Sequence, residues 1–243
     1  MLAVSERDGL RYGTLFGQER VEVMANMKFD RMAASAPAGG DLGGVVPEGG
    51  RLVVLGAVRR EEGGDVAQLA AELVRARPDA VLGLFPRHMH HLAFWRETLT
   101  QAGLPVVVRS ELAGPAAAGS VVLWDVFGEL ARAYGSAAAA FVGGSLARLG
   151  GQNFLEAISG GVVPVIGPYW SNFAWVGREI VTAGLVREVA DWREAAAALS
   201  AQLAAPPARE AVREAGLAYI RERQGGTAQA CARIAEALAG AYT

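Results

Sequence analysis

The sequence predicts an α/β fold: a Rossmann-like, doubly wound, mainly parallel sheet followed by C-terminal helices. Two observations lead to this prediction. Apolar runs alternate with helical segments from about residue 51 onward, and the runs are continuously apolar rather than alternating. Continuous apolar runs suit strands that helices cover on both faces, as in parallel sheets. Because ligands of such folds bind beyond the carboxyl ends of the strands, site residues are expected there.

The predicted elements follow one another in regular order. The strands are 51–58, 80–86, 105–110, 120–126, 139–144, 162–167 and 185–189. The helices are 65–78, 89–102, 127–135, a segment from Asn153, 172–184 and most of 191–243, broken at Pro206-Pro207 and Gly225-Gly226. Gly, Pro or charged residues separate the runs, as expected for turns between elements.

The first fifty residues follow a different pattern. Residues 5–17 predict a helix capped by Ser5, and 20–26 predict one strand. A lone helix and strand cannot bury their apolar faces by themselves. We therefore divide the chain into a short segment (1–32), a linker rich in Gly, Pro and Ala (33–50) and a Rossmann-like domain (51–243).

Composition argues against several classes of function. The 243 residues are 52% apolar and 20% charged, which allows a sizeable core. A formal net charge of −2 gives no electrostatic reason to expect nucleic acid or an anionic membrane as a partner. No apolar stretch reaches the length of a membrane-spanning helix. Cys231 is the single cysteine, which fits a reducing compartment, and its apolar helical surroundings predict a buried thiol.

Residues 141–168, FVGGSLARLGGQNFLEAISGGVVPVIGP, combine a strand, a Gly-rich turn and a helix start. Amide groups at such turns bind anions, because glycine lets a phosphate approach the backbone. The stretch is neither GxGxxG nor a P-loop. Two interpretations of Asn153 and Glu156 remain open: a capping box at the helix start, or a Glu156 carboxylate that binds a ribose diol.

Charged side chains also follow the strand at 80–86. Arg87 is either an exposed residue at a helix start or a phosphate ligand that uses paired N–H donors. His88, His90 and His91 are the only histidines. No Cys, Asp or Glu accompanies them at ligand spacing, so they predict no metal site.

Two carboxylates flank the turn after the strand at 120–126. Asp125 and Glu129 are four residues apart, a spacing compatible with acid–base chemistry. The alternative is that Asp125 caps the next helix while Glu129 favours its dipole. Ser145 lies in GGSLA rather than in a nucleophile elbow, so no serine hydrolase is predicted.

Five short motifs, in order, resemble the C-terminal half of the bacterial Kdo transferases. These enzymes move 3-deoxy-D-manno-octulosonic acid (Kdo) from its CMP-activated form onto the lipid A precursor. The motifs are NMKFD (26–30), FPRH (85–88), WDVFGEL (124–130), FVGGSLARLGGQNFLEA (141–157) and GPYWSNF (167–173). The resemblance implies a GT-B architecture of two Rossmann-like domains, the second of which binds the nucleotide-sugar. It also implies lipopolysaccharide biosynthesis at the cytoplasmic face of the bacterial inner membrane, without a metal or other cofactor.

The resemblance implies a donor site by position. Arg87 would contact the phosphate or nucleotide, Asn153 the phosphate and Glu156 the ribose. The backbone of 126–128 would meet the CMP moiety, and Ser145 with its neighbouring glycines would line the phosphate site. The expected substrate-binding set is Arg87, His88, Val126, Phe127, Gly128, Gly143, Gly144, Ser145, Gly151, Asn153 and Glu156.

The sequence departs from the family pattern around that site. Ala57–Arg60 replace Ser-Thr-His-Glu-type residues, and Gln152 and Tyr169 each replace a His. Residues 223–226, RQGG, replace an Asn-Arg-Gly-like stretch. These departures leave the donor sugar open, and a GT-B protein that uses a UDP-sugar is one alternative.

The family's first domain holds the acceptor site, the carboxylate base and a membrane anchor. Residues 1–32 correspond to the end of that domain, so no residue here is assigned as catalytic base. The chain is therefore expected to bind a donor but not to turn over alone. The expected partner is the missing N-terminal domain or another chain, including a second copy. A non-catalytic nucleotide-binding or interaction module is the other alternative.

Overall fold

A computed structural model describes residues 1–30, 42 and 44–241. Most of the predicted linker at 33–50 therefore lies outside the described residues. The described residues fall into two compact units, one drawn from 1–36 and 217–243 and the other from 37–216. The boundary between them falls within the helix Arg209–Arg221.

The smaller unit begins with a short parallel strand pair. Among the residues described here, β1 (Leu2–Ala3) pairs with β2 (Glu22–Val23), and helix α1 (Glu6–Phe16) connects them. As predicted, Ser5 caps α1, since its hydroxyl accepts a hydrogen bond from the Asp8 amide at 3.1 Å. The sequence did not indicate β1, because a two-residue strand presents no apolar run.

The larger unit confirms the predicted fold class. Within its described residues it contains a seven-stranded sheet whose paired strands are all parallel. The strands are β3 (Arg51–Val58), β4 (Ala80–Pro86), β5 (Val106–Val108), β6 (Val121–Leu123), β7 (Ala139–Val142), β8 (Pro164–Ile166) and β9 (Arg187–Glu188). Their spatial order is β5-β6-β4-β3-β7-β8-β9, so the winding direction reverses between β3 and β7. A crevice at the carboxyl ends is expected at such a switch point.

Helices pack against this sheet. They are α2 (Gly63–Ala76), α3 (Leu92–Gln101), α4 (Leu130–Ser136), α5 (Leu155–Ser159), α6 (Glu179–Thr182) and α7 (Trp192–Ala204). Helix α7 packs against α2, β7 and β8, and α3 packs against β5 and β6. Every residue of β4, β6, β7 and β8 is buried, as expected for strands covered on both faces.

Helix boundaries differ from the prediction where glycine or a loop interrupts the pattern. The helix predicted at 172–184 is a 3₁₀ turn, Ser171–Val176, followed by α6. Gly177 separates the two pieces with φ of +94°, a backbone conformation that no α-helix contains. The segment predicted from Asn153 is helical only over α5, and α4 begins three residues later than predicted.

The C-terminal helices are α8 (Arg209–Arg221) and α9 (Gly226–Ala241). Within the smaller unit, the Asp30 carboxylate accepts hydrogen bonds from the amides of Gly225 (2.7 Å) and Thr227 (2.6 Å) at the start of α9. Residues 231–239 of α9 are all exposed, so the prediction that Cys231 is buried is wrong. In the part of the chain described, no helix has both the length and the apolar content needed to cross a membrane.

Candidate functional site

A cleft of about 330 Å³ opens at the carboxyl ends of the central strands. It is lined by residues at the ends of β3 and β4 and by residues that follow β4, β6 and β7, on both sides of the point where the winding reverses. These are Ala57, Phe85, Pro86, Arg87, Met89, Trp124, Val126, Phe127, Gly128, Leu130, Gln152, Asn153 and Glu156. The cleft therefore lies where a doubly wound sheet places its ligand.

The floor of the cleft is a pair of stacked aromatic rings. Phe85 and Trp124 have ring centroids 4.3 Å apart at an interplanar angle of 20°. The Trp124 Nε1 donates a hydrogen bond to the Glu129 carboxylate at 2.7 Å. A Cβ on Gly83 would lie 3.1 Å from both rings, so glycine leaves them room. Both side chains are almost fully buried, so they form a rigid apolar base beneath the cleft, and the polar nitrogen of Trp124 is already satisfied.

The two carboxylates after β6 have structural partners. Glu129 forms ion pairs with Arg109 (3.3 Å) and Arg132 (3.2 Å), so its carboxylate is not a free base. Asp125 accepts hydrogen bonds from the amide and the hydroxyl of Ser110. It therefore ties two loops together, and the alternative in which it caps α4 is wrong.

The polar wall of the cleft carries one cation and one anion. Arg87 donates from Nε to Gln152 Oε1 at 3.1 Å, and Asn153 Nδ2 donates to Glu156 Oε1 at 2.8 Å. Among the described residues, neither Arg87 nor Glu156 forms an ion pair. Both charged groups are held only by neutral amides, which a charged ligand displaces easily because charge-assisted hydrogen bonds are stronger.

The capping box considered for Asn153 and Glu156 does not form as such. Asn153 Oδ1 accepts a hydrogen bond from the Leu155 amide at 3.2 Å. Glu156 accepts from the Asn153 side chain instead of its backbone amide. The two side chains therefore support each other, and the Glu156 carboxylate stays at the cleft surface.

Phe127 is the most exposed large apolar side chain among the described residues. The ring is 80% exposed, on the turn that connects β6 to α4. Gly128 follows it with φ of +81°, which a glycine adopts without strain. A large exposed aromatic ring beside a polar cleft is suited to stacking on a planar ligand.

The predicted site residues divide into two groups. Arg87, Val126, Phe127, Gly128, Asn153 and Glu156 line the cleft. His88, Gly143, Gly144, Ser145 and Gly151 do not. Ser145 is 1% exposed, and its hydroxyl donates to the Val142 carbonyl (2.7 Å) and accepts from the Gly167 amide (2.9 Å). It therefore joins the ends of β7 and β8.

His88 lies in a cluster with the other two histidines. The ring centroids are 4.0 Å apart for His90 and His91, and 5.5 Å for His88 and His90. Partial desolvation and the positive neighbours His90 and Arg60 lower the pKa of His91. Among the described residues, no group of three or more His, Cys, Asp or Glu has the geometry to hold a metal ion.

Sequence reasoning missed Glu62, a buried acid beneath the Gly-rich turn. It is 2% exposed, and its carboxylate accepts hydrogen bonds from the amides of Arg59 (3.0 Å), Gly144 (2.5 Å) and Leu146 (3.3 Å). Burial raises the pKa of Glu62, although these amide donors act in the opposite direction. The segment RREE resembles an exposed helix start, so nothing in its composition signals a buried carboxylate.

Sequence reasoning also missed several lining residues. These are Ala57, Phe85, Pro86, Met89, Trp124 and Leu130, together with Gln152, noted only as a departure from the family pattern. The signal that points to most of them is their position at the end of a predicted strand. Apolar residues at a strand end suit the core as well as a cleft, and only the folded strand ends reveal which of them face the cleft.

Comparisons with known proteins identify relatives. No family profile matches the chain. It is 31% identical over 231 residues to the 3-deoxy-D-manno-octulosonic acid transferase of Bordetella pertussis, across 93% of this chain and 54% of the relative. The enzyme of the same name from Haemophilus influenzae is 27% identical over 221 residues, across 89% of this chain and 52% of the relative. The chain thus spans about half the length of the curated relatives it matches.

A solved structure shares the fold. The C-terminal CMP-Kdo binding domain of WaaA from Acinetobacter baumannii matches with a TM-score of 0.64 and 24% identity, across 80% of this chain and 99% of that domain. The resemblance carried by the five motifs is thereby confirmed. The chain is similar to 3-deoxy-D-manno-octulosonic acid transferases over about half of their length and has the fold of a GT-B C-terminal domain.

Proposed function

We propose that the chain is the donor-binding half of a Kdo transferase-like glycosyltransferase of lipid A and lipopolysaccharide biosynthesis. The observation that carries the proposal is the cleft, which combines an aromatic floor with one guanidinium and one carboxylate. A nucleotide-sugar presents the matching groups: a planar base, a phosphate and a ribose diol. The similarity to the Bordetella pertussis transferase supports CMP-Kdo as the donor.

Each polar residue of the cleft has a role in this proposal. Arg87 exchanges its hydrogen bond to Gln152 for charge-assisted bonds to the donor phosphate. Glu156 accepts hydrogen bonds from the ribose hydroxyls, while Asn153 orients that carboxylate and contacts the phosphate. The turn at 126–128 contacts the nucleoside.

The proposed transfer needs a base from outside this chain. The acceptor hydroxyl loses a proton as it attacks the sugar. Among the described residues that line the cleft, Glu156 is the only carboxylate, and it is assigned to the ribose. We therefore propose that the base lies in a first domain, and that this chain alone binds the donor without turnover. Arg87 supplies positive charge at the leaving phosphate, so the proposed transfer needs no metal.

The smaller unit supports the proposal of a missing partner. Several of its large apolar side chains are exposed: Met1, Val4, Leu10, Tyr12, Leu15, Phe16, Val23, Met27, Ile234 and Leu238. Apolar surface of this extent is typical of an interaction site. We propose that an N-terminal domain, or a second chain, covers it and that the assembly acts at the cytoplasmic face of the bacterial inner membrane. A homodimer is the alternative occupant.

Calorimetric titration with CMP, CMP-Kdo and UDP tests the proposal. We expect micromolar binding of CMP and CMP-Kdo, weakened about tenfold or more by Arg87→Ala or Glu156→Ala, because each change removes a charge-assisted hydrogen bond. The exposed residues Arg96 and Glu97 on α3 provide matched controls, and their alanine variants should bind as the wild type does. Preferential UDP binding would favour a UDP-sugar enzyme. Absence of all nucleotide binding would leave only the non-catalytic interaction module.

A further inference from the structure

The amides that were expected to bind a phosphate are occupied by the protein itself. The turn at 143–146 directs the amides of Gly144 and Leu146 at the Glu62 carboxylate. Gly143 allows this approach, since a Cβ there would lie 2.6 Å from Glu62 Oε1 and 2.5 Å from Val58 Cα. Among the described residues, Glu62 forms no ion pair. Its carboxyl oxygens accept hydrogen bonds from backbone amides in the way that the oxygens of bound anions do at such turns.

The same turn holds the residues that reach the cleft. The carbonyl of Gly144 accepts a hydrogen bond from the Gly151 amide at 2.7 Å, and that of Gly143 accepts from the Gln152 amide at 3.1 Å. Gln152 and Asn153 then extend into the cleft. A continuous series of hydrogen bonds therefore links the buried Glu62 carboxyl group to Gln152 and Asn153. These two residues are the hydrogen-bond partners of Arg87 and Glu156.

We infer that Glu62 is a positioning residue of the cleft: as an internal hydrogen-bond acceptor it fixes the 143–146 turn, and through it Gln152 and Asn153. The inference has a second consequence. A donor phosphate cannot use the amides of Gly144 and Leu146 while Glu62 holds them, so its binding depends on the side chains of Arg87 and Asn153. The consequence for ligand binding rests on the proposed function. The effect of Glu62 on the 143–146 turn does not.

The isosteric variant Glu62→Gln tests whether the hydrogen bonds of Glu62, rather than the volume of its side chain, hold the turn in place. The glutamine keeps the shape and one acceptor, but its NH₂ group faces an amide donor, so one hydrogen bond is lost and the turn loosens. Glu61→Gln is the matched control, because Glu61 is the adjacent carboxylate and pairs with the Arg59 side chain at the surface. Glu62→Asp, which keeps the charge but shortens the reach, serves if the glutamine variant does not fold.

Amide hydrogen exchange in the ligand-free protein is the first measurement. We expect the Gly151 and Gln152 amides, which do not contact Glu62, to exchange about tenfold faster or more in the Glu62 variant, while α2 and α7 exchange as before. Unchanged exchange at Gly151 and Gln152, or an equal increase throughout the larger unit, would overturn the inference.

CMP titration is the second measurement. The Glu62 variant should bind CMP about tenfold more weakly, and Glu61→Gln should bind as the wild type does. Faster exchange at Gly151 and Gln152 with unchanged CMP affinity would show that the turn does not position the binding groups. If wild-type protein binds no nucleotide, the proposed function fails, and the exchange experiment alone decides whether Glu62 fixes the loop.

Discussion

Ala57 adopts an unfavourable backbone conformation at the cleft. Its φ is +52°, and among the described residues no other non-glycine residue has a positive φ. It lies where the register between β3 and β4 shifts, between Leu55 and Val58. The Cβ of an L-residue in this region contacts its own backbone, which costs about 1–2 kcal/mol. Strain of this kind is often found at functional sites, and here it directs the chain from the end of β3 into the cleft.

Replacing Ala57 with glycine tests that strain. Ala57→Gly should raise the free energy of unfolding by about 1 kcal/mol, because glycine adopts positive φ without the steric cost. Ala71→Gly, within α2, is the control and should lower it by about 1 kcal/mol. Urea denaturation measures both. A lower stability for Ala57→Gly would mean that the conformation is not strained.

A substitution at Phe127 should affect ligand binding without affecting the stability of the fold. Because the ring is 80% exposed, Phe127→Ala should leave the thermal midpoint unchanged. If the ring stacks on the nucleobase, the same change weakens CMP binding by about 1–3 kcal/mol. Calorimetric titration and thermal unfolding of one preparation give both values. Equal CMP affinity in the variant and the wild type would exclude stacking.

Individual site residues were predictable to different degrees. Arg87 could be singled out because it is a charged residue next to a predicted strand end, and Glu156 because it stands three residues after Asn153 beyond a Gly-rich turn. Glu62 could not, because its burial depends on a glycine at residue 143, far along the chain, that leaves space for the carboxylate. Local sequence indicates which groups are present, whereas long-range packing decides which of them reach a ligand.

At the scale of elements, continuous apolar runs predicted the strands of the large sheet. Their ends were less predictable, since β5, β6 and β8 each keep only three paired residues. A strand ends where its neighbour ends, and that neighbour is known only once the sheet has formed. The strand pair β1 and β2 was the hardest to predict. A strand of two residues is defined only by its hydrogen bonds to the neighbouring strand.

Asp30 secures the start of α9 from a distant part of the sequence. Its carboxylate accepts hydrogen bonds from Thr227 and from the Gly225 amide, and these hold the pKa of Asp30 below its ordinary value of 3.8. A depressed pKa contributes stability above that value and loses it as the pH falls. Asp30→Asn should therefore remove this contribution at neutral pH, while acid should remove it from the wild type.

Amide exchange along α9 measures this effect. We expect faster exchange at the first turn of α9 in Asp30→Asn at pH 7, with the strands of the larger unit unchanged. Asp79→Asn is the control, since Asp79 pairs with Arg77 in the larger unit. If α9 were equally protected in the wild type and in Asp30→Asn at pH 7, Asp30 would not be the group that holds it.

At the scale of the whole molecule, the first and last segments of the chain belong to one unit. The hydrogen bonds of Asp30 to Gly225 and Thr227 span 195 and 197 residues. No local pattern could predict a contact between residues so far apart in the sequence. The predicted division of the chain into domains rested on composition alone. The assignment of residues 1–32 to the end of a first domain stays a prediction.

The exposed apolar side chains of the smaller unit predict association. At high concentration the isolated chain should form dimers or larger species, because burying that surface is favourable. Leu15→Lys should reduce association, since Leu15 is 72% exposed and a charge there opposes burial. Ala93→Lys, at an exposed position of α3 in the larger unit, serves as a control. Static light scattering that reports a monomer at every concentration would contradict this prediction.

The stacked pair on the cleft floor gives the protein an optical property. Trp124 is one of five tryptophans, and among the described residues it is the tryptophan that lines the cleft. Trp124 is buried against Phe85, so a pyrimidine ring bound in the cleft would alter part of the intrinsic emission by changing the indole's surroundings rather than by stacking on it. Titration with CMP in a fluorimeter therefore follows occupancy without any attached dye, and Trp124→Phe identifies the signal by removing it.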